Sequence, residues 1–194
     1  MLRCLAGADT IRSGEVRIAG VDLGAGGGAG IGWLPQEAPL FPGTVRDNIA
    51  RFGDASDEAV RTVAQRAGAL AAIERLPRGF ATELDVASAG ASLRQAIGFA
   101  RALLSNPGLL LLDQPTAHLD AAGEVAVLNA IRLLKSEGVT IMLVSHKPVL
   151  ATVADRIMLM QDGSIEVFEE REAVLNAIRH RSLRPVASTS GRAQ

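Results

Sequence analysis

Gly108–Asp113 reads GLLLLD. Four consecutive leucines, with a turn former before them and a carboxylate after, are too short a run for most helices. The segment reads as a strand buried on both faces, as in a parallel sheet. Val139–Val144 (VTIMLV) is a second buried strand of the same kind. Between them Ala121–Ser136 has helical spacing, and Gly138 stops it. Strand, helix, strand implies an α/β fold with a parallel sheet and right-handed crossovers. Such sheets bind ligands at the carboxyl ends of their strands. The residues just after the two runs, Asp113-Gln114-Pro115-Thr116 and Ser145-His146, are where chemistry is expected.

Upstream, Glu15–Gly20 alternates as a half-buried strand, and Ile31–Leu34 is a short strand stopped by Pro35. Gly24–Gly30 (GAGGGAG) is a low-complexity connector. Helical spacing covers Thr44–Phe52, Ser56–Gly68, Ala69–Leu76 and Ser92–Leu104, with an acidic start at Ser56-Asp57-Glu58. Downstream, Pro148–Val153 is a short helix. Arg156–Gln161 and Ser164–Phe168 form a hairpin around Asp162-Gly163, and Glu170–His180 is a terminal helix. Ser182–Gln194 is polar and lacks periodicity, which marks a frayed tail.

The chain has 194 residues, 48% hydrophobic and 21% charged, with a formal net charge of −1. That supports a domain with a real core and argues against disorder. There is no basic excess of the kind that phosphate attraction to nucleic acid requires. One cysteine, Cys4, cannot close an internal disulfide, so a reducing compartment fits. No apolar run approaches the roughly 18 residues of a membrane span. The basic residues are 18 Arg and only two Lys, Lys135 and Lys147, so any step that needs a lysine has two choices.

A carboxylate leaving a buried strand is a good ligand for magnesium held by phosphates. A histidine at the neighbouring strand end can donate to a phosphate oxygen. Taken singly each residue has a blander use, the acid as a helix cap and the histidine as a satisfied structural group.

Order and spacing change that balance. Leu109–Asp120 (LLLLDQPTAHLD) resembles the Walker B strand and D-loop of the ATP-binding cassette (ABC) ATPases. Ser145-His146 resembles their switch-histidine motif, and Leu34-Pro35-Gln36 their Q-loop. Leu40–Asn48 (LFPGTVRDN) is similar to the segment after the Q-loop in bacterial exporters, most of all type I protein-secretion exporters. The resemblance runs to about residue 180. It implies a P-loop NTPase-like core over 1–181, with a helical subdomain at about 44–104 and a flexible tail over 182–194. It also implies ATP and Mg²⁺ as cofactors. Asp113 would hold Mg²⁺, Gln36 would touch the metal or the attacking water, and His146 would contact the γ-phosphate. Asp120 would sit at the interface with a second cassette, and Thr44–Arg51 near the coupling helix of a transmembrane subunit. The implied location is the cytoplasmic face of the plasma membrane.

Three departures qualify this. No Gly-x4-Gly-Lys-[Ser/Thr] phosphate loop occurs, since Lys135 follows Leu134 and Lys147 follows His146. Met1–Gly7 resembles the helix that follows that loop, so the N-terminal part of the core is expected to be missing. Gly24, Gly26 and Ala29 satisfy a relaxed G-x-G-x-x-[G/A] pattern, but a strand rather than a helix follows them. Second, Gln114 stands where the family places its catalytic glutamate. An amide accepts a hydrogen bond from water but takes no proton, so hydrolysis is expected to be slow. Third, the Leu-Ser-Gly-Gly-Gln signature falls on Ala89-Gly90-Ala91-Ser92-Leu93. Gly90 and Ser92 are its candidate nucleotide contacts, although the stretch also reads as a plain helix start capped by Ser92. Arg94 and Gln95 are read equally as solvated surface.

These departures leave three readings open. The chain is an exporter ATPase cassette with its phosphate loop elsewhere, a degenerate non-hydrolysing regulatory or interaction module, or a gene fragment.

Overall fold

The computed structural model describes residues 1–18, 21–22 and 30–182, with side chains of the described residues outside 21–22 and 179–182. Most of the glycine-rich connector, including Gly24, Gly26 and Ala29, lies outside the described residues, as does the tail over 183–194. Two compact units divide at Met1–His146 and Lys147–Gln194.

The first unit opens with a short helix, α1 (Leu2–Leu5), and a two-residue ladder of β1 (Arg17–Ile18) and β2 (Val21–Asp22). The alternation at Glu15–Gly20 thus yields only the Arg17–Ile18 strand among the described residues. The three-stranded parallel sheet is built from β3 (Ile31–Leu34), β4 (Leu109–Asp113) and β5 (Thr140–Val144), in that order. Leu110, Leu111 and Leu112 in the central strand are fully buried. Leucines on both faces are what a central parallel strand requires, since both of its faces are covered. The expectation of a second fully buried strand needs correction. β5 is half-buried at Ile141–Leu143 and exposed at Thr140 and Val144. It has a ladder partner on one side only among the described residues, so its apolar run is that of an edge strand.

Between β3 and β4 run α2 (Val45–Ile49), α3 (Asp57–Arg66), α4 (Leu70–Glu74) and α5 (Ala91–Leu103). Their apolar faces meet at Val45, Ile49, Val60, Val63, Ile73, Ile97 and Phe99, all buried. Thr44 and Asp47 close a capping box on α2, and Ser56 caps α3 by accepting from Ala59 N–H at 3.2 Å. Helix α5 lies hard against β3. A Cβ at Gly32 would stand 2.4 Å from the carbonyl of Ala102, and one at Gly98 would stand 2.4 Å from the Ala38 Cβ. Both glycines are there because backbone and neighbour leave no room for a side chain. Helix α6 (Ala121–Ser136) connects β4 to β5 and ends at Gly138, whose φ is +84°.

The second unit contains a 3₁₀ turn at Pro148–Val153, a hairpin of β6 (Arg156–Gln161) and β7 (Ser164–Glu170), and α7 (Arg171–Ser182). Asp162 and Gly163 both have positive φ, the two-residue turn that an Asp-Gly pair favours. The Arg156 guanidinium sits 3.9 Å from the centre of the Phe168 ring.

Candidate functional site

Register places the predicted residues. Leu34 pairs with Leu112, and Asp113 pairs with Val144. Asp113 is therefore the last residue of β4, and Gln36 and Ser145-His146 lie just beyond the carboxyl ends of the neighbouring parallel strands. Asp113 is half-buried, whereas Gln36 and His146 are exposed. Topology thus brings these three to one end of the sheet.

Gln114 departs from the strand at once. Its φ is +50°, the left-handed region that non-glycine residues rarely adopt. Its N–H donates to the Val144 carbonyl at 2.9 Å, one step beyond the last ladder pair. Its own carbonyl accepts from Ala117 N–H at 3.0 Å, closing a turn with Pro115 at the second position. It also accepts from Gln95 Nε2 at 3.4 Å. Thr116 is buried in this turn.

Asp120 caps α6, accepting from Gly123 N–H at 2.8 Å. An aspartate directly before a helical run is the sequence signal for that cap. The start of α5 corrects two expectations. Gly90, with extended φ and ψ, is the N-cap, and Ser92 lies one residue inside the helix. The Ser92 hydroxyl donates to the carbonyl of His118 at 2.9 Å. Gln95 is not solvated surface but only 2% exposed. It shares a helical stripe with Gly98, Phe99 and Ala102, and that stripe faces the core. Arg94 is half-buried and donates to the carbonyls of Ala89 and Val86. The His118 side chain is exposed.

No group of three or more His, Cys, Asp or Glu among the described residues could hold a metal ion. A cage built by protein alone is therefore not the fit. One half-buried carboxylate at a strand end suits Mg²⁺, which binds through one or two carboxylates plus phosphate oxygens and water. A separate cleft of about 320 Å³ involves Arg66, Asn106 and Glu137 beside Gly108 and Val139, where β4 and β5 begin. It lies at the opposite end of the strands. Arg66 there already donates to Asn106 Oδ1 at 3.2 Å and pairs with Glu137.

A parallel sheet with helices between its strands, and an acid and a histidine at adjacent carboxyl ends, is the arrangement of a P-loop NTPase-like fold. The ABC transporter family model matches residues 1–117, more than half of the chain, and the chain belongs to that family. It is 35% identical over 185 residues to the type I secretion system ATP-binding protein PrsD of Rhizobium meliloti, covering 92% of this chain and 32% of that one. It is 37% identical over 172 residues to the cyclolysin secretion/processing ATP-binding protein CyaB of Bordetella pertussis, covering 84% of this chain and 24% of CyaB. Among solved structures, that of a bacterial Atm1-family ABC exporter with ATP bound superimposes with a TM-score of 0.81 at 28% identity. That match covers 90% of this chain and 32% of the exporter. The chain thus spans about a third or less of the length of these relatives. No helix among the described residues is long and apolar enough to cross a membrane.

Proposed function

We propose that this chain is a nucleotide-handling cassette of an exporter of the protein- or peptide-secretion type. In this proposal it acts at the cytoplasmic face of the plasma membrane, with a transmembrane subunit and a second cassette as partners. One juxtaposition carries the proposal: Gln36, Asp113 and His146 stand at or just beyond the carboxyl ends of three hydrogen-bonded parallel strands. Similarity to PrsD and CyaB, both named as secretion ATP-binding proteins, supports the exporter class.

In this reading Asp113 and Gln36 hold Mg²⁺ with the phosphates of ATP, and His146 donates to a γ-phosphate oxygen. When bound, the metal neutralises charge on the phosphates as the γ-phosphoryl group leaves. Gly90 at the start of α5 and Asp120 at the start of α6 face the second cassette. Thr44–Arg51 faces the transmembrane partner. Gln114 orients the attacking water through its amide oxygen but removes no proton, and general-base catalysis is worth about 10²–10⁴-fold. Turnover is therefore slow. The domain assignment, 1–181 as cassette with its helical part at about 44–104, belongs to the same proposal.

A second reading has its own support. Gln114 and the altered signature at Ala89–Leu93 both suit a non-hydrolysing regulatory cassette. Titration calorimetry with Mg·ATP on the chain and on Asp113→Asn, with a phosphate-release assay, tests both. Binding that Asp113→Asn weakens supports the nucleotide role. Equal binding by the two contradicts it, and robust turnover by the unaltered chain removes the second reading.

A further inference from the structure

Gln114 holds a left-handed backbone without being glycine, and it precedes Pro115, whose ring narrows the conformations open to it. Such a conformation is disfavoured for a side chain with a Cβ and persists only where the surroundings over-determine it. Two of its hydrogen bonds, to Val144 and from Ala117, are local to the strand end and the turn. The third comes from Gln95, nineteen positions earlier in the chain and only 2% exposed. Four residues on from Gln114, the carbonyl of His118 accepts from Ser92. Ser92 and Gln95 are three apart in one helix, hence on one face. Each directs a hydrogen bond to a main-chain carbonyl of the same turn.

We propose that Ser92 and Gln95 are positioning residues: from one face of α5 they clasp the Gln114–His118 turn and hold Gln114 in its left-handed conformation. A residue in that conformation leaves the alternation of the strand, so its side-chain direction follows from the clasp and not from the pleat. The turn then moves with α5 as one body. The consequence for the reaction rests on the reading of Gln114 as the group that meets the attacking water. The clasp itself does not.

Amide hydrogen exchange on the full chain without nucleotide tests the clasp independently of ATP binding. Gln95→Met keeps the shape and removes the donor. Exchange at the Gln114 and Ala117 amides should rise about tenfold, the worth of one net hydrogen bond, while Leu110, Leu111 and Leu112 keep their protection. Adding Gln114→Asn to Gln95→Met should restore protection, because asparagine accepts the left-handed region more readily. A simple packing defect would not respond to that second change. Unchanged exchange at Gln114 and Ala117, or a rise shared equally by β4 and untouched by Gln114→Asn, overturns the proposal. If Gln95→Met does not fold, Ser92→Ala decides. Faster exchange at Leu119, whose N–H meets Thr116 within the same turn, supports the clasp, and unchanged exchange there overturns it.

Discussion

The N–H of Gln114 donates to the carbonyl of Val144 at 2.9 Å, tying the first residue beyond β4 to the last residue of β5. The bond joins the two strand ends from which Asp113 and His146 project into sequence order. In the proposed function it also fixes Gln114 at the place the family gives to its catalytic glutamate. An amide there can orient water and nothing more.

Gln114→Glu should therefore raise phosphate release from Mg·ATP. A restored carboxylate at this position is worth about 10²–10⁴-fold if general-base catalysis is what the amide lacks. A malachite-green or coupled assay comparing the two chains measures it. Equal rates would mean that the limit lies elsewhere in the site.

Gly98→Ala should destabilise the first unit. The new methyl would stand 2.4 Å from the Ala38 Cβ and 3.0 Å from Leu34 Cδ1, so α5 or β3 must move. Overpacking of this kind costs about 1–3 kcal/mol. Thermal unfolding followed by circular dichroism should show a lower midpoint than for an exposed control such as Gly108→Ala, where nothing stands within 4 Å.

Acid should fray α2 only at low pH. The Thr44 hydroxyl, 2.7 Å away, and the Thr44 N–H, 3.0 Å away, hold the Asp47 carboxyl below its usual range. Because the folded value is depressed, its contribution is present above the unfolded carboxylate pKa. It is lost as pH falls through the depressed folded value. Carbon-detected titration of Asp47 should give a midpoint below that of an ordinary aspartate. Thr44→Ala should move the midpoint up and weaken α2 by about 1 kcal/mol through loss of the cap.

Several elements could be read from sequence because local rules and tertiary environment agreed. Ile31–Leu34 ends at a proline, and Ala121–Ser136 lies between a cap and a glycine stop. The leucine run of β4 has the composition of a strand covered on both sides, and these bounds match the structure. Val139–Val144 looked equally apolar, yet burial of a strand depends on its neighbours, which its own residues do not encode. The site was legible as far as its order along the chain. What was not legible is contact between distant segments. Gln95 looked like helix surface until the helix was docked. Ser92 looked like a cap until Gly90 took that place and its hydroxyl turned to His118. The left-handed backbone of Gln114 carries no residue-type signal, since glutamine has no preference for it.

Whether the shared strand end receives a metal-bound nucleotide is measured most directly with Mn²⁺·ATP and isotope-labelled chain. Paramagnetic broadening should concentrate at Gln36, Gln114, Ser145 and His146 and weaken in Asp113→Asn. Broadening centred on Arg66, Asn106 and Glu137 at the far end of the strands, or none at all, would contradict the proposed site.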